Sequence, residues 1–408
     1  MSDQSNTSLV EQLYDYPYNR LNKLLGHIKP DQDVLLTHIG EPQGNPPKLL
    51  ADTVAKNSHL WSKYPPIKGT VGFRQAATDW AIKRYNLPES FLDPESNVIP
   101  VNGTREALFQ AGLYAADRKR AQLSNNEQPI ICLPNPLYHV YFGAALMGHA
   151  EAVMVDAIED NHFIPDFESL PEETLRRTAL VYLCTPGNPV GTVASLDRLK
   201  AMLEAARKYD FILAVDECYS EIWTDEPPAG GLDAAKALGD SLDNLLVFNS
   251  LSKRSSAPGL RCGMVIGEAK LLQDLNMLRG YGGAQVPGPL LAAATELWKD
   301  DAHVAENRDL YRRLISIADE ELGNLSGYRS PDAAFFVWFN TAKHGLSGEE
   351  AATKLWQDEG IKVMPGRYMC RADDKSGKSP GDDYVRLALV HDEKTVKEIC
   401  TRVRRSLT

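Results

Sequence analysis

Short apolar runs rich in β-branched residues recur between residues 98 and 266, separated by longer stretches whose apolar positions return every three or four residues. A strand buried on both faces reads as a near-continuous apolar run, whereas a recurrence near 3.6 marks a helix with one buried side. The runs predict seven strands: Val98–Val101, Ile130–Leu133, Ala152–Val155, Leu180–Cys184, Phe211–Val215, Leu245–Phe248 and Cys262–Ile266. Between them, stretches such as "SLDRLKAMLEAARKYD" (195–210) have helical spacing and open on a serine that can cap. Such alternation implies an α/β fold, a mostly parallel seven-stranded sheet flanked by helices.

The texture changes after Gly280. A bend rich in Gly and Pro, "GYGGAQVPGP", leads into "LLAAATELWKDDAHVAENRDLYRRLISIADEEL", whose spacing predicts one long helix. Two further strands, "AAFFVWFN" (333–340) and "DYVRLALV" (383–390), enclose the charged, turn-rich segment 371–383, predicted to be an exposed loop. The chain therefore divides into an N-terminal arm with part of a small domain (1–48), a large domain (49–290) and a smaller C-terminal α/β domain (291–408). A length of 408 residues accords with more than one core.

Composition narrows the class. Hydrophobic residues at 43% and charged residues at 24% suit a soluble globular enzyme, and a net charge of −11 disfavours a general nucleic-acid binder. An anionic ligand must then be met by locally placed Arg, Lys or backbone N–H groups. The six cysteines form no CxxC pair and read as reduced thiols. The polar start "MSDQSNTSLVEQLYDYPYNR" lacks the pattern of a signal peptide, and no apolar run approaches the ~20 residues of a membrane span, so a cytoplasmic protein without membrane partners is expected. "GKS" at 377–379 lacks the first glycine and the strand of a phosphate loop, and neither HExxH nor GxGxxG occurs, so no metal site is expected.

The segment "NSLSKRSSAPGLRCG" (249–263) carries the most chemistry. Lys253 closely follows an apolar strand and is accompanied by Ser250, Ser252 and Arg261, all able to bind a phosphate. A lysine amine attacks carbonyls only when deprotonated, and it needs a fixed aldehyde partner to be useful as a Schiff base. In "VNGTREAL" (101–108) a strand end, a glycine turn and a helix start could aim the N–H groups of Gly103, Thr104 and Arg105 at an anion. Asp216 in "VDECYSE" ends an apolar strand, where a carboxylate is costly without a cationic partner. Arg386 lies inside the apolar "DYVRLALV", and its fork suits a carboxylate.

S-x-S-K with an arginine eight residues on, "TPGNPVGT" (185–192), "VDECYSE", "NPLYHVY" (135–141), the Y-x-x-x-x-G of "SKYPPIKGTVG" and "HIGEP" occur in the order of the class I/II, fold type I, pyridoxal-phosphate aminotransferases, which the chain resembles over nearly its whole length. The resemblance implies pyridoxal 5′-phosphate held as a Schiff base by Lys253. Asp216 would pair with the pyridinium nitrogen, Asn188 and Tyr219 would donate to the phenolic oxygen, and Tyr138 would stack on the ring. Gly103, Thr104, Arg105, Ser250, Ser252 and Arg261 would surround the phosphate, joined by Tyr64 of a neighbouring subunit in a homodimer with shared sites. Arg386 would hold the substrate α-carboxylate, with Asn188 and Gly40 beside it. Lys253, Asp216 and Tyr219 are thus the catalytic candidates, and amino and 2-oxo acids the implied partners.

"YPYNRLNKLL", "IPVNGTREAL", "PDAAFFVWFN" and "MPGRYMCR" are similar to the subgroup that acts on N-succinyldiaminopimelate in bacterial lysine synthesis. Arg20, Arg367 and Arg371 are the candidates for its distal anionic groups. Alternatives on the same cofactor are aspartate, aromatic or acylated-ornithine aminotransferases, or a lyase. A cofactor-sensing regulator would need a DNA-binding module, for which only a short, non-basic arm is available.

Overall fold

The computed structural model describes residues 8–408. Strand β1 is the two-residue Leu35–Leu36, and β2 (Val98–Val101), β3 (Ile130–Asn135), β4 (Glu151–Asp156), β5 (Thr178–Cys184), β6 (Ile212–Asp216), β7 (Leu245–Ser250) and β8 (Gly263–Gly267) make one seven-stranded sheet. Its order is β2-β8-β7-β6-β5-β3-β4, and only β8 runs antiparallel to its neighbours. All seven predicted strands are present, shifted by a residue or two at their ends.

Strand alternation explains why the runs looked uniformly apolar. In β6, Leu213 and Val215 enter one core while Ile212 and Ala214 enter the core on the opposite face, and β7 divides likewise into Leu245 and Val247 against Leu246 and Phe248. Helices cover both faces. Ser195 caps the helix Leu196–Tyr209 by accepting from the Arg198 N–H, as its sequence position suggested.

A third core surrounds β9 (Phe336–Asn340), β10 (Ile361–Lys362), β11 (Met364–Pro365) and β12 (Tyr384–Ala388). Strands β11, β12 and β9 form an antiparallel sheet, while β1 pairs in parallel with β10 and so ties the beginning of the chain to its C-terminal part. Most of the loop 371–383 is exposed, as expected. The expected single long helix is instead two, Gly288–Lys299 and Ala302–Leu322. Asp300 leaves the helical region (φ −95, ψ 108), and its carboxylate accepts the Ala302 N–H at 2.9 Å and approaches His303 Nδ1 at 3.0 Å. A short acidic side chain that satisfies a new helix start competes with helix continuation.

Candidate active site

The carboxyl ends of β5, β6 and β7 open onto a cavity of about 490 Å3, the edge at which open α/β sheets bind ligands. Its walls include Gly40, Thr104, Arg105, Tyr138, Asn188, Asp216, Tyr219, Ser250, Ser252, Lys253, Arg261 and Arg386. The turn after each strand places one of these groups: Asn188 beyond β5, Asp216 as the last residue of β6, Ser250 at the end of β7 and Lys253 in the following helical turn. Ser250 Oγ accepts the Ser252 N–H at 3.2 Å, which starts that turn.

Lys253 Nζ donates to the Gly40 carbonyl. Burial, reinforced by the positive charges of Arg386 and Arg261, pulls its pKa down to about 8 despite Cys218 and Glu41. Asp216 is buried and has no cation in ion-pair contact among the described residues, so burial raises its pKa. The Tyr141 hydroxyl, which donates at 2.7 Å, and the Cys218 N–H at 3.3 Å oppose that rise. Tyr141 is itself fixed by stacking on Tyr182, with ring centres 4.3 Å apart.

Arg386 is 4% exposed and lies over the Phe336 ring at 4.6 Å. One terminal nitrogen donates to Asn188 Oδ1 at 2.8 Å and the other to the His38 carbonyl at 2.6 Å, while its buried Nε has no partner. Because Asn188 spends its oxygen on Arg386, its amide N–H groups remain to donate elsewhere. Tyr219 is wedged edge-on against Phe335 and Phe336, each ring 5.5 Å away. The Tyr138 hydroxyl accepts from Arg105 Nε at 2.7 Å.

Gly103 is in the set for a different reason from the one expected. Its N–H donates to the Val101 carbonyl at 2.8 Å, which removes it from any anion cradle and leaves Thr104 and Arg105 at the start of the helix Thr104–Arg120. What it contributes is space: its φ is +80, and a Cβ there would overlap the Arg261 guanidinium. Tyr64 stands apart from the cavity, fully exposed in a separate surface hollow with Leu60, Pro65 and Thr70.

The site fits pyridoxal 5′-phosphate. A lysine amine with a lowered pKa suits an aldehyde, a buried carboxylate without a cation suits a pyridinium nitrogen, and a helix start beside Arg261 and two serines suits a phosphate. The unpartnered Nε of Arg386 leaves a donor for a substrate carboxylate. Sequence reasoning missed Tyr141, Tyr18 and Cys218. Tyr141 lies only three residues beyond Tyr138 in the same motif, and Cys218, between two singled-out residues, contacts Thr104 Oγ1 through Sγ at 3.1 Å.

The family described as aminotransferase class I and II matches residues 33–403. An LL-diaminopimelate aminotransferase of Halothermothrix orenii is 26% identical over 98% of both chains. An aminotransferase of Neisseria meningitidis Z2491 of known structure is 36% identical over 97% of this chain and 98% of its own, with a TM-score of 0.89. The aminotransferase AspB of Helicobacter pylori 26695 is 34% identical over 96% and 97%, with a TM-score of 0.85.

Proposed function

The chain belongs to the class I and II aminotransferases, and on that premise we propose that it moves the amino group of N-succinyl-LL-diaminopimelate to 2-oxoglutarate. It is a pyridoxal-phosphate-dependent enzyme that exchanges amino groups between amino and 2-oxo acids. The observation that carries the assignment of roles is one cavity in which a lysine of lowered pKa, a buried unpaired carboxylate and an arginine with a free buried donor converge.

When bound there, the cofactor supplies an aldehyde to hold the amine and a protonated ring that withdraws electrons from the substrate α-carbon. Lys253 Nζ takes the proton from that carbon in one half-reaction and delivers a proton to the α-carbon of the incoming oxo acid in the other. Proton transfer by a positioned group of this kind contributes about 10²–10⁴-fold. Asp216 would hold the proton on the ring nitrogen. Asn188 and Tyr219 would donate to the phenolic oxygen, and Tyr138 would cover the ring. Thr104, Arg105, Ser250, Ser252 and Arg261 would hold the phosphate. Arg386, aligned by Asn188 and His38, grips the α-carboxylate, with Gly40 leaving room beside the Phe336 ring.

The active unit we propose is a homodimer in which Tyr64 reaches the partner's phosphate. Apolar side chains on two adjoining segments support it: Trp61, Tyr64, Ile67 and Val71 on one, Met277 and Tyr281 on the other, all exposed, with Ile67 against Gly280.

Unacylated LL-diaminopimelate is the second reading, favoured by the names of relatives such as that of Halothermothrix orenii. The test is to load the protein with pyridoxal phosphate and add each amine without an acceptor. Bleaching of the cofactor's visible absorption by the succinylated amine, reversed by 2-oxoglutarate, is the expected result. Bleaching only by the free diamine selects the second reading, and bleaching by neither removes both.

A further inference from the structure

A second hollow of about 300 Å3 adjoins the main cavity, and the two share Tyr18, Arg105, Tyr138, Asn188 and Arg386 as walls. Its far side is built by the N-terminal arm and by the segment after β11, which bring Asp15, Arg20, Tyr368 and Arg371 together. Arg20 lies over the Tyr368 ring at 4.1 Å and Arg371 over the Phe142 ring at 3.6 Å. Stacking holds each guanidinium by its face and leaves its edge free for hydrogen bonds.

Both arginines approach the same carboxylate loosely. Arg20 Nε is 3.6 Å from Asp15 Oδ1 and Arg371 Nη1 is 3.8 Å from Asp15 Oδ2, beyond the usual length of a charge-assisted hydrogen bond. With two cations against one anion, the far wall keeps a positive excess. His139, across the hollow, does not alter that count, because burial holds its pKa near 4 and the ring neutral. The backbone of Arg371 is pinned by Asn135, whose side chain bonds both its N–H (2.9 Å) and its carbonyl (3.0 Å), so this guanidinium springs from a fixed point. Arg367 differs: it donates to Asp382 at 2.7 Å and to the Gly377 carbonyl at 3.0 Å, is satisfied, and does not line the hollow.

We propose that Arg20 and Arg371 form a second carboxylate subsite that reads the end of the substrate away from the reacting amine. It rests on the aminotransferase reading of the main cavity. The α-carboxylate is held by Arg386, the chain of the substrate passes between Tyr18 and Tyr138, and its distal carboxylate sits between the two stacked forks. The enzyme thereby selects long amino dicarboxylates over amino acids with neutral side chains. A carboxylate on the carbon skeleton and one on an acyl cap have the same chemistry, and the substrate series below separates them.

The experiment uses the holoenzyme and its Arg20→Gln, Arg371→Gln and Arg367→Gln variants. The half-reaction is measured with norleucine, 2-aminopimelate, LL-diaminopimelate and N-succinyl-LL-diaminopimelate, and pimelate binding is measured by calorimetry. Loss of one charged hydrogen-bonding partner is expected to lower kcat/KM about 10- to 100-fold for amines with a distal carboxylate, mostly through KM, and to weaken pimelate comparably. Norleucine should be unaffected, and Arg367→Gln should change nothing. A loss confined to the succinylated amine assigns the subsite to the cap, and a loss with 2-aminopimelate assigns it to the skeleton. Equal losses on norleucine, or unchanged pimelate binding in both variants, would overturn the proposal. Should Arg371→Gln fail to fold, Arg20→Gln still decides. If the wild type bleaches with neither diaminopimelate but prefers 2-aminopimelate to norleucine, the subsite stands and the proposed substrate falls.

Discussion

Lys253 and Asp216 are both held against their solution preferences, in opposite senses. The folded pKa of Lys253, near 8, lies below its ordinary 10.5, so the folded chain binds fewer protons between those values. The resulting cost to stability is full below pH 8 and disappears as pH rises toward 10.5. The free-amine fraction, and with it the rate of cofactor attachment to apoprotein, should rise about tenfold from pH 6 to 7 and level off above about pH 9. A rate still climbing tenfold per unit at pH 9, followed by stopped-flow absorbance, would mean an ordinary lysine. Asp216 has its pKa raised by burial, so the apoprotein is less stable above the unfolded pKa than below it. Asp216→Asn should therefore stabilise the apoprotein, by roughly 1 kcal/mol, while lowering kcat by at least about 10²-fold. Thermal unfolding with and without cofactor tests this, because the wild type should gain more from the cofactor than the variant does.

Two elements position the site without supplying its reacting atoms. The helix Ala302–Leu322 clamps the lysine turn: His303 Nε2 meets Ser255 Oγ at 2.8 Å, and Asn307 Nδ2 donates to the Lys253 carbonyl at 3.0 Å while its Oδ1 accepts from Ser256 at 2.7 Å. Asn307→Ala should lower kcat about three- to tenfold with little change in KM, since each lost hydrogen bond is worth about 1 kcal/mol and none touches substrate. The helix Thr104–Arg120 begins at Gly103, where Gly103→Ala adds a Cβ at positive φ against Arg261. Cofactor affinity should fall by about tenfold or more, since φ +80 with ψ 151 is backbone essentially open only to glycine and the added Cβ must displace either this turn or the Arg261 guanidinium, both of which face the phosphate end of the cavity. Equilibrium dialysis of the cofactor is the measurement. The break at Asp300 belongs to this scale too, and it places His303 and Asn307 in the first turns of a new helix.

For the whole molecule, the proposed homodimer makes one arithmetical prediction. Mixing inactive Tyr64→Phe and Lys253→Ala chains and letting them re-pair should restore about one quarter of the sites, because half of the dimers are mixed and each has one intact site. Activity that stays at background would show that Tyr64 serves no neighbouring site.

The seven strands and the lysine, asparagine, aspartate and arginine at the ends of strands or within them were legible in the chain, because apolar runs and the residues beside them are local properties. Asp216 and Arg386 stood out since a charge inside an apolar strand needs a reason. The Asp300 break was missed because helical spacing runs straight through it, and the competing bonds of a single side chain are weaker signals than the repeat. Distances across the chain were beyond any such reading. That Arg386 is braced by His38, 348 residues away, that Lys253 meets the Gly40 carbonyl, and that Tyr141 supports Asp216 are products of packing. The same holds for the three candidate arginines: Arg367 and Arg371 are four residues apart in sequence and chemically alike, and only folding satisfies one and leaves the other facing a hollow with Arg20. Local patterns determined which residues can do chemistry, and the tertiary structure decided which share a wall, because burial and unmet hydrogen bonds exist only once distant segments are brought together.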